Sequence, residues 1–117
     1  MGFFDAIKLG FQRYVTFEGR SARWEYWYWV LFNVIAGAVL GALSDNLGGA
    51  FSLAVLLPGL AVTARRLHDI DRSGWWMLIA IVPLIGWLVM LYWTVQRGTV
   101  GANRFGPDPL AGALPAA

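Results

Sequence analysis

Hydrophobic and polar positions follow two different periods along this chain. Over residues 3–17, Phe3, Phe4, Ile7, Phe11, Tyr14 and Val15 recur at helical spacing on one face. Asp5, Lys8, Gln12 and Arg13 fall on the other, with Leu9 the exception. The pattern predicts an amphipathic helix over 3–17. Such a helix can lie flat at a membrane surface with its aromatics in the acyl boundary, or pack its stripe on helices of the same chain. Gly19 interrupts the pattern. Ser21 is placed to cap a following helix, and Glu25 in its first turn suits the positive end of the dipole.

Beyond Glu25 the alternation stops and long uncharged runs begin. Residues 26–43, "YWYWVLFNVIAGAVLGAL", contain no charge and would extend roughly 27 Å as a helix, close to the hydrocarbon thickness of a bilayer. Gly37 and Gly41 form a GxxxG pair, the spacing that lets a second helix approach closely; a neighbour in the same chain is the expected partner. A second run covers 47–64, with a kink predicted at Pro58-Gly59. A third covers 75–95, with Pro83 and Gly86 as candidate breaks. The predicted fold is an all-α integral membrane protein, an N-terminal amphipathic interfacial helix followed by three transmembrane helices. These form one membrane domain over 1–110, and 111–117 is expected to be a flexible tail.

Composition supports this reading. Hydrophobic residues make up 58% and charged residues 14%, with a mean hydropathy of +0.56, whereas a water-facing domain carries about 25% charge. The absence of cysteine excludes disulfides and thiolate chemistry. No basic segment leads directly into an apolar one at the N-terminus, so no cleavable signal is expected. With three spans, Lys8, Arg13, Arg20, Arg23, Arg65, Arg66 and Arg72 share one side, and Arg97 and Arg104 the other. The excess of basic residues places the N-terminus in the cytoplasm. Trp24, Trp27, Trp29, Trp75 and Trp76 would then mark the inner interface, and Tyr92 and Trp93 the outer one.

The densest chemistry lies in "RRLHDIDRSGWW", residues 65–76. Arg65 and Arg66 suit a helix C-terminus, and Ser73 can cap the next helix. His68 and Asp69 could form an acid–base pair, although adjacent helical residues point about 100° apart. No nucleophile accompanies them, and one histidine with carboxylates makes a thin metal site. No catalytic, metal or cofactor role is therefore assigned.

This loop, with "FEGRSARWEYW" at 17–27 and "NRFGPDP" at 103–109, resembles the small bacterial inner-membrane proteins labelled "domain of unknown function 805". The resemblance covers about residues 1–110. It departs at Ile70-Asp71, where the family commonly has Thr-Gly, so an aspartate occupies a turn position suited to glycine. The resemblance implies a multi-pass protein of the bacterial inner membrane with no assigned reaction. It groups Arg20, Arg23 and Glu25 with Arg65, Arg66, His68, Asp69, Ser73 and Trp75, and with Asn103, Phe105, Gly106, Pro107 and Asp108. Three full spans would put the last group on the opposite face. A re-entrant hairpin with its apex at 83–86 would bring all three groups together. Three full spans are nevertheless expected, because one short domain offers little shelter for irregular backbone at membrane depth.

The expected role is non-enzymatic. Arg20, Arg23, Arg65, Arg66 and Arg72 would bind anionic lipid headgroups or a protein partner, and the chain could form homo-oligomers or join another membrane protein. Nucleic acid is a poor fit, because the aromatics near the arginines lead into an apolar span. The alternatives are a transporter or channel subunit, or an interfacial enzyme on lipid phosphates using His68 and Asp69.

Overall fold

The computed structural model describes residues 2–109; the tail at 111–117 lies outside them. Among the described residues the elements are helical. They are α1 (Phe3–Gln12), α2 (Arg23–Leu43), α3 (Asp45–Asp69), a 3₁₀ segment (Gly74–Ile81) and α4 (Ile85–Val95).

A helix does form at the N-terminus, but it covers Phe3–Gln12 and stops short of the expected residue 17. Its first turn is closed by Asp5, which accepts from the Gly2 N–H at 3.0 Å. That bond holds the Asp5 carboxyl below its usual range. Part of the aromatic stripe packs on the protein itself, while Phe4 stays 81% exposed. Phe11 meets Trp29 and Phe32 edge-on, with centroids 5.3 and 6.0 Å apart, and Phe3 meets Tyr28 at 6.0 Å.

Helices α2 and α3 form a tight hairpin. Ser44 ends the first and caps the second, its side chain accepting from the Asn46 N–H at 3.2 Å. Spans of 21 and 25 residues extend roughly 32 and 38 Å, enough to cross a hydrocarbon core. The GxxxG pair serves this hairpin. Gly37 faces the Phe51 ring, and a Cβ on Gly48 would lie 3.0 Å from the Gly41 Cα. Trp29, Val55 and Val62 form the small apolar core, with Tyr26, Phe32 and Phe51 against it. Trp29 is therefore a core residue and does not belong to an interfacial belt. Only Glu25 and Trp29 are buried along α2, while Val34, Ile35, Val39 and Leu43 are exposed. The apolar side chains point outward, unlike those of a soluble core helix.

Two expected helix features are corrected. Ala22, not Ser21, precedes the first turn of α2, because the Ser21 hydroxyl is engaged elsewhere. Helix α3 continues through Pro58 and on past Ala64 to Asp69, so Arg65, Arg66, His68 and Asp69 all lie on its last turns.

The expected third span is not one helix. Residues 74–81 form a 3₁₀ helix, the chain reverses at 82–84, and α4 returns. Pro83 lacks the N–H that a continuous helix needs. Leu84 sits at φ 65°, and Ile85 N–H donates to the Pro83 carbonyl at 2.7 Å, a γ-turn. A Cβ on Gly86 would overlap the Ile79 carbonyl, so only glycine admits this close return. Trp87 Nε1–H fastens the two arms by donating to Ala80 O at 3.0 Å. At the open end, Trp76 and Trp93 meet with centroids 5.8 Å apart, and Arg72 lies over Trp93 at 4.5 Å. Trp93 thus belongs beside the 65–76 loop and not at an opposite interface.

Candidate functional site

Because the 74–95 hairpin returns, the three motifs meet at the C-terminal end of α3. Arg65 and Arg66 are fully buried there; Arg20, Ser21, Glu25 and Asp69 are buried beside them. Charged groups lose hydration on burial and need partners. Each arginine finds them in a different part of the chain.

Arg65 holds the N-terminal segment. Its Nη1 donates to the carbonyls of Arg13 and Thr16 at 2.9 and 2.7 Å, just past α1. Its Nε donates to Ser21 Oγ at 3.1 Å, and Nη2 pairs with Glu25 Oε1 at 3.4 Å. The Ser21 N–H returns a bond to the Arg65 carbonyl at 2.9 Å. Arg66 holds the end of α4. Its guanidinium donates to the carbonyls of Thr94, at 3.1 Å, and Gln96. A helix leaves its last carbonyls unpaired, and Arg66 satisfies them together with Trp27, whose Nε1–H reaches Thr94 O at 3.0 Å. Half-buried Arg23 donates to Val95 O at 3.4 Å.

Arg20 holds the tail. Its Nη1 donates to Gly101 O at 2.6 Å and Gly106 O at 3.4 Å, and its Nη2 to Thr99 O. Asp69 joins the sets. Oδ1 accepts from Arg20 Nε at 3.0 Å and Oδ2 from Arg66 Nη1 at 2.8 Å. Its backbone carbonyl accepts from the Thr99 N–H at 2.7 Å. The tail passes so close that a Cβ on Gly98 would overlap the Asp69 carboxylate.

The tail motif is equally committed. Asn103 Nδ2 donates to the His68 carbonyl at 2.9 Å, and its Oδ1 accepts from the Phe105 N–H at 2.9 Å. Phe105 stacks on the His68 ring, 4.0 Å between centroids and 2° from parallel. Gly106 N–H and O close a bridge with Asn103. Asp108 accepts from the Gly101 N–H at 2.9 Å, and Pro107 is exposed. Arg104 reaches back to Asp71, pairing with its carboxylate at 3.3 Å and its carbonyl at 2.9 Å. Asp71 holds φ 62°, the left-handed conformation that glycine would adopt freely at this position. Ser73 caps the 3₁₀ segment as expected, accepting from the Trp75 N–H at 3.3 Å.

His68 and Asp69 do not pair with each other. His68 Nδ1 bonds the Gly19 carbonyl at 2.9 Å, while both Asp69 oxygens are taken by arginine. No buried side-chain nitrogen or oxygen among the described residues lacks a hydrogen bond. The arrangement can hold four chain segments in register. Both Asp69 oxygens and every guanidinium nitrogen of Arg20, Arg65 and Arg66 have a partner within the protein. Arg72 is exposed, over Trp93. Sequence reasoning missed Thr94, Thr99, Gly98 and Gly101. Three of these contribute a backbone carbonyl or N–H and one the space of a missing Cβ, so side-chain type carries no signal for them.

The family model described as "Protein of unknown function (DUF805)" matches residues 14–107. Inner membrane protein YhaH of Escherichia coli (strain K12) is 46% identical over 109 residues, covering 84% of this chain and 90% of that protein. Inner membrane protein YhaI of the same strain is also 46% identical over 109 residues, covering 87% and 92%. The uncharacterized protein YiiR is 33% identical over 124 residues, covering 80% and 85%. No solved structure matches the chain.

Proposed function

Since the chain belongs to the DUF805 family, with inner membrane proteins among its relatives, we propose that it is a non-enzymatic inner-membrane module. Its basic cytoplasmic cap binds anionic lipid headgroups. The observation that carries this reading is the convergence of residues 13–25, 65–72 and 94–108 on one end of the α2–α3 hairpin. The opposite turn, Ser44–Asn46, bears Asp45 and no basic residue.

In this arrangement α2 and α3 span the bilayer, and 74–95 enters and leaves by the cytoplasmic side. The 3₁₀ segment of 8 residues and α4 of 11 each extend roughly 16 Å, about half the hydrocarbon thickness. At the exposed apex most backbone donors are paired internally. Val82 N–H bonds Ile79 O, Ile85 N–H bonds Pro83 O and Gly86 N–H bonds Val82 O, while Pro83 has no N–H to satisfy. All nine Lys and Arg residues then lie on the cytoplasmic side, in keeping with the positive-inside bias.

The buried arginines fasten the cap, and the surface cations do the binding. Lys8, Arg13, Arg72, Arg97 and Arg104 are exposed, and each basic residue near an anionic surface contributes about 1 kcal/mol. The test is lipid retention by the purified full chain in mixed phosphatidylglycerol–phosphatidylcholine nanodiscs. The wild type should be enriched in the anionic lipid, and Lys8→Gln and Arg97→Gln together should clearly reduce the enrichment while leaving the melting temperature near that of the wild type. Equal retention of both lipids by the wild type would refute the reading.

A further inference from the structure

A cavity of about 590 Å³ opens between α3 and the 3₁₀ segment, within the size range of small-molecule sites. Leu60, Ala64 and His68 line it from one side, one helical turn apart, and Ser73 and Leu78 from the other, with Phe17 also in its wall. Two turns of α3 give the slot a length of roughly 12 Å. Leu60, Leu78 and Phe17 are 42%, 53% and 40% exposed, so the slot opens sideways toward the surroundings of the helices.

Its two ends differ in chemistry. The Leu60 end is apolar, whereas the His68 end carries polar groups. The His68 residue is 91% buried, being 9% exposed. Its Nδ1 faces the Gly19 carbonyl, an acceptor only, so Nδ1 bears the proton and neutral His68 has its lone pair on Nε2. Nε2 makes no hydrogen bond among the described residues and is not itself enclosed; it lies beside Gly74, on the cavity wall, where a Cβ would be 3.3 Å from it. Ser73 Oγ accepts from the Trp75 N–H, which leaves its hydroxyl proton to donate. No arginine or lysine lines the cavity. The slot thus offers an acceptor and a donor but no cation.

We propose that this slot binds a neutral amphiphile, one apolar chain ending in a hydroxyl group, with the hydroxyl donating to His68 Nε2 and the chain lying along Leu60 and Leu78. A hydroxyl is both donor and acceptor, the complement of His68 with Ser73. A phosphate head would bring negative charge to a wall that no arginine or lysine lines, and burying it unpaired is costly. This site is independent of the surface cations that hold anionic headgroups.

The experiment uses the full chain in phosphatidylcholine nanodiscs and hexadecanol carrying a photoactivatable diazirine in its chain. The matching methyl ether and phosphate ester serve as controls, and labelled peptides are mapped by mass spectrometry. The alcohol should label peptides covering 60–68 and 73–78 about fivefold more than either control, the scale of one hydrogen bond. His68→Phe, which keeps a ring against Phe105, should erase that preference. Leu60→Trp and Leu78→Trp, both at exposed positions away from the arginine network, should block labelling by filling the slot, with melting temperatures near the wild type. Equal labelling by all three probes, or labelling that survives both tryptophan variants, would overturn the proposal.

Discussion

Asp69 is held between two arginines. Its two oxygens face Arg20 and Arg66, and its backbone carbonyl receives Thr99. Breaking a buried ion pair from one side leaves an uncompensated charge, at about 3–5 kcal/mol. Asp69→Ala should therefore lower the stability of the detergent-solubilised protein by that order, with Asp69→Asn close behind, as measured by thermal denaturation. A loss below about 1 kcal/mol, the scale of an exposed pair, would contradict the burial. Gly98 tests the same point through space alone. Gly98→Ala puts a methyl where the carboxylate lies, so the tail should detach. Limited trypsin digestion should then cut after Arg97 and Arg104 much faster than in the wild type. Unchanged digestion would mean that the tail is not docked against Asp69.

At the scale of elements, the helical hairpin was legible in the sequence and the 74–95 hairpin only half so. Two long apolar runs joined at Ser44 read directly as two helices long enough to span a bilayer. Residues 75–95 have the same composition, and apolar content alone reads as a third span. What reverses the chain is local: the missing N–H of Pro83, the left-handed Leu84 and the contact between Gly86 and Ile79. Pro83 and Gly86 were visible as breaks, but the depth at which irregular backbone can be satisfied depends on bonds such as Gly86 N–H to Val82 O, which no residue type announces. Gly86→Val should consequently lower the melting temperature sharply. Gly49→Ala, at a helical position with open space around it, should leave it unchanged or raise it slightly, since alanine exceeds glycine in helix propensity by about 1 kcal/mol. Equal effects at the two glycines would argue against the close return.

Across the whole molecule, the candidate site was legible as a set of side chains and not as a job. Arg20, Glu25, Arg65, Arg66, Asp69 and Asn103 stood out as charged or polar residues beside apolar runs. The sequence could not say that the buried arginines would spend their donors on backbone carbonyls of Arg13, Thr16, Thr94, Gln96, Thr99 and Gly101, because those carbonyls belong to segments far away along the chain. The convergence of the last four requires the chain to return at residues 82–84, and the sidedness proposed for the protein rests on it. That sidedness is open to a direct measurement, since the chain has no cysteine of its own. Single cysteines at Ser44, Ser73 and Ala102 would be labelled in intact cells with a membrane-impermeant thiol reagent, and again after permeabilisation. The account predicts labelling at Ser44 alone in intact cells and at all three afterwards. Labelling of both Ser44 and Ala102 in intact cells would place the tail across the membrane from His68 and contradict the shared site.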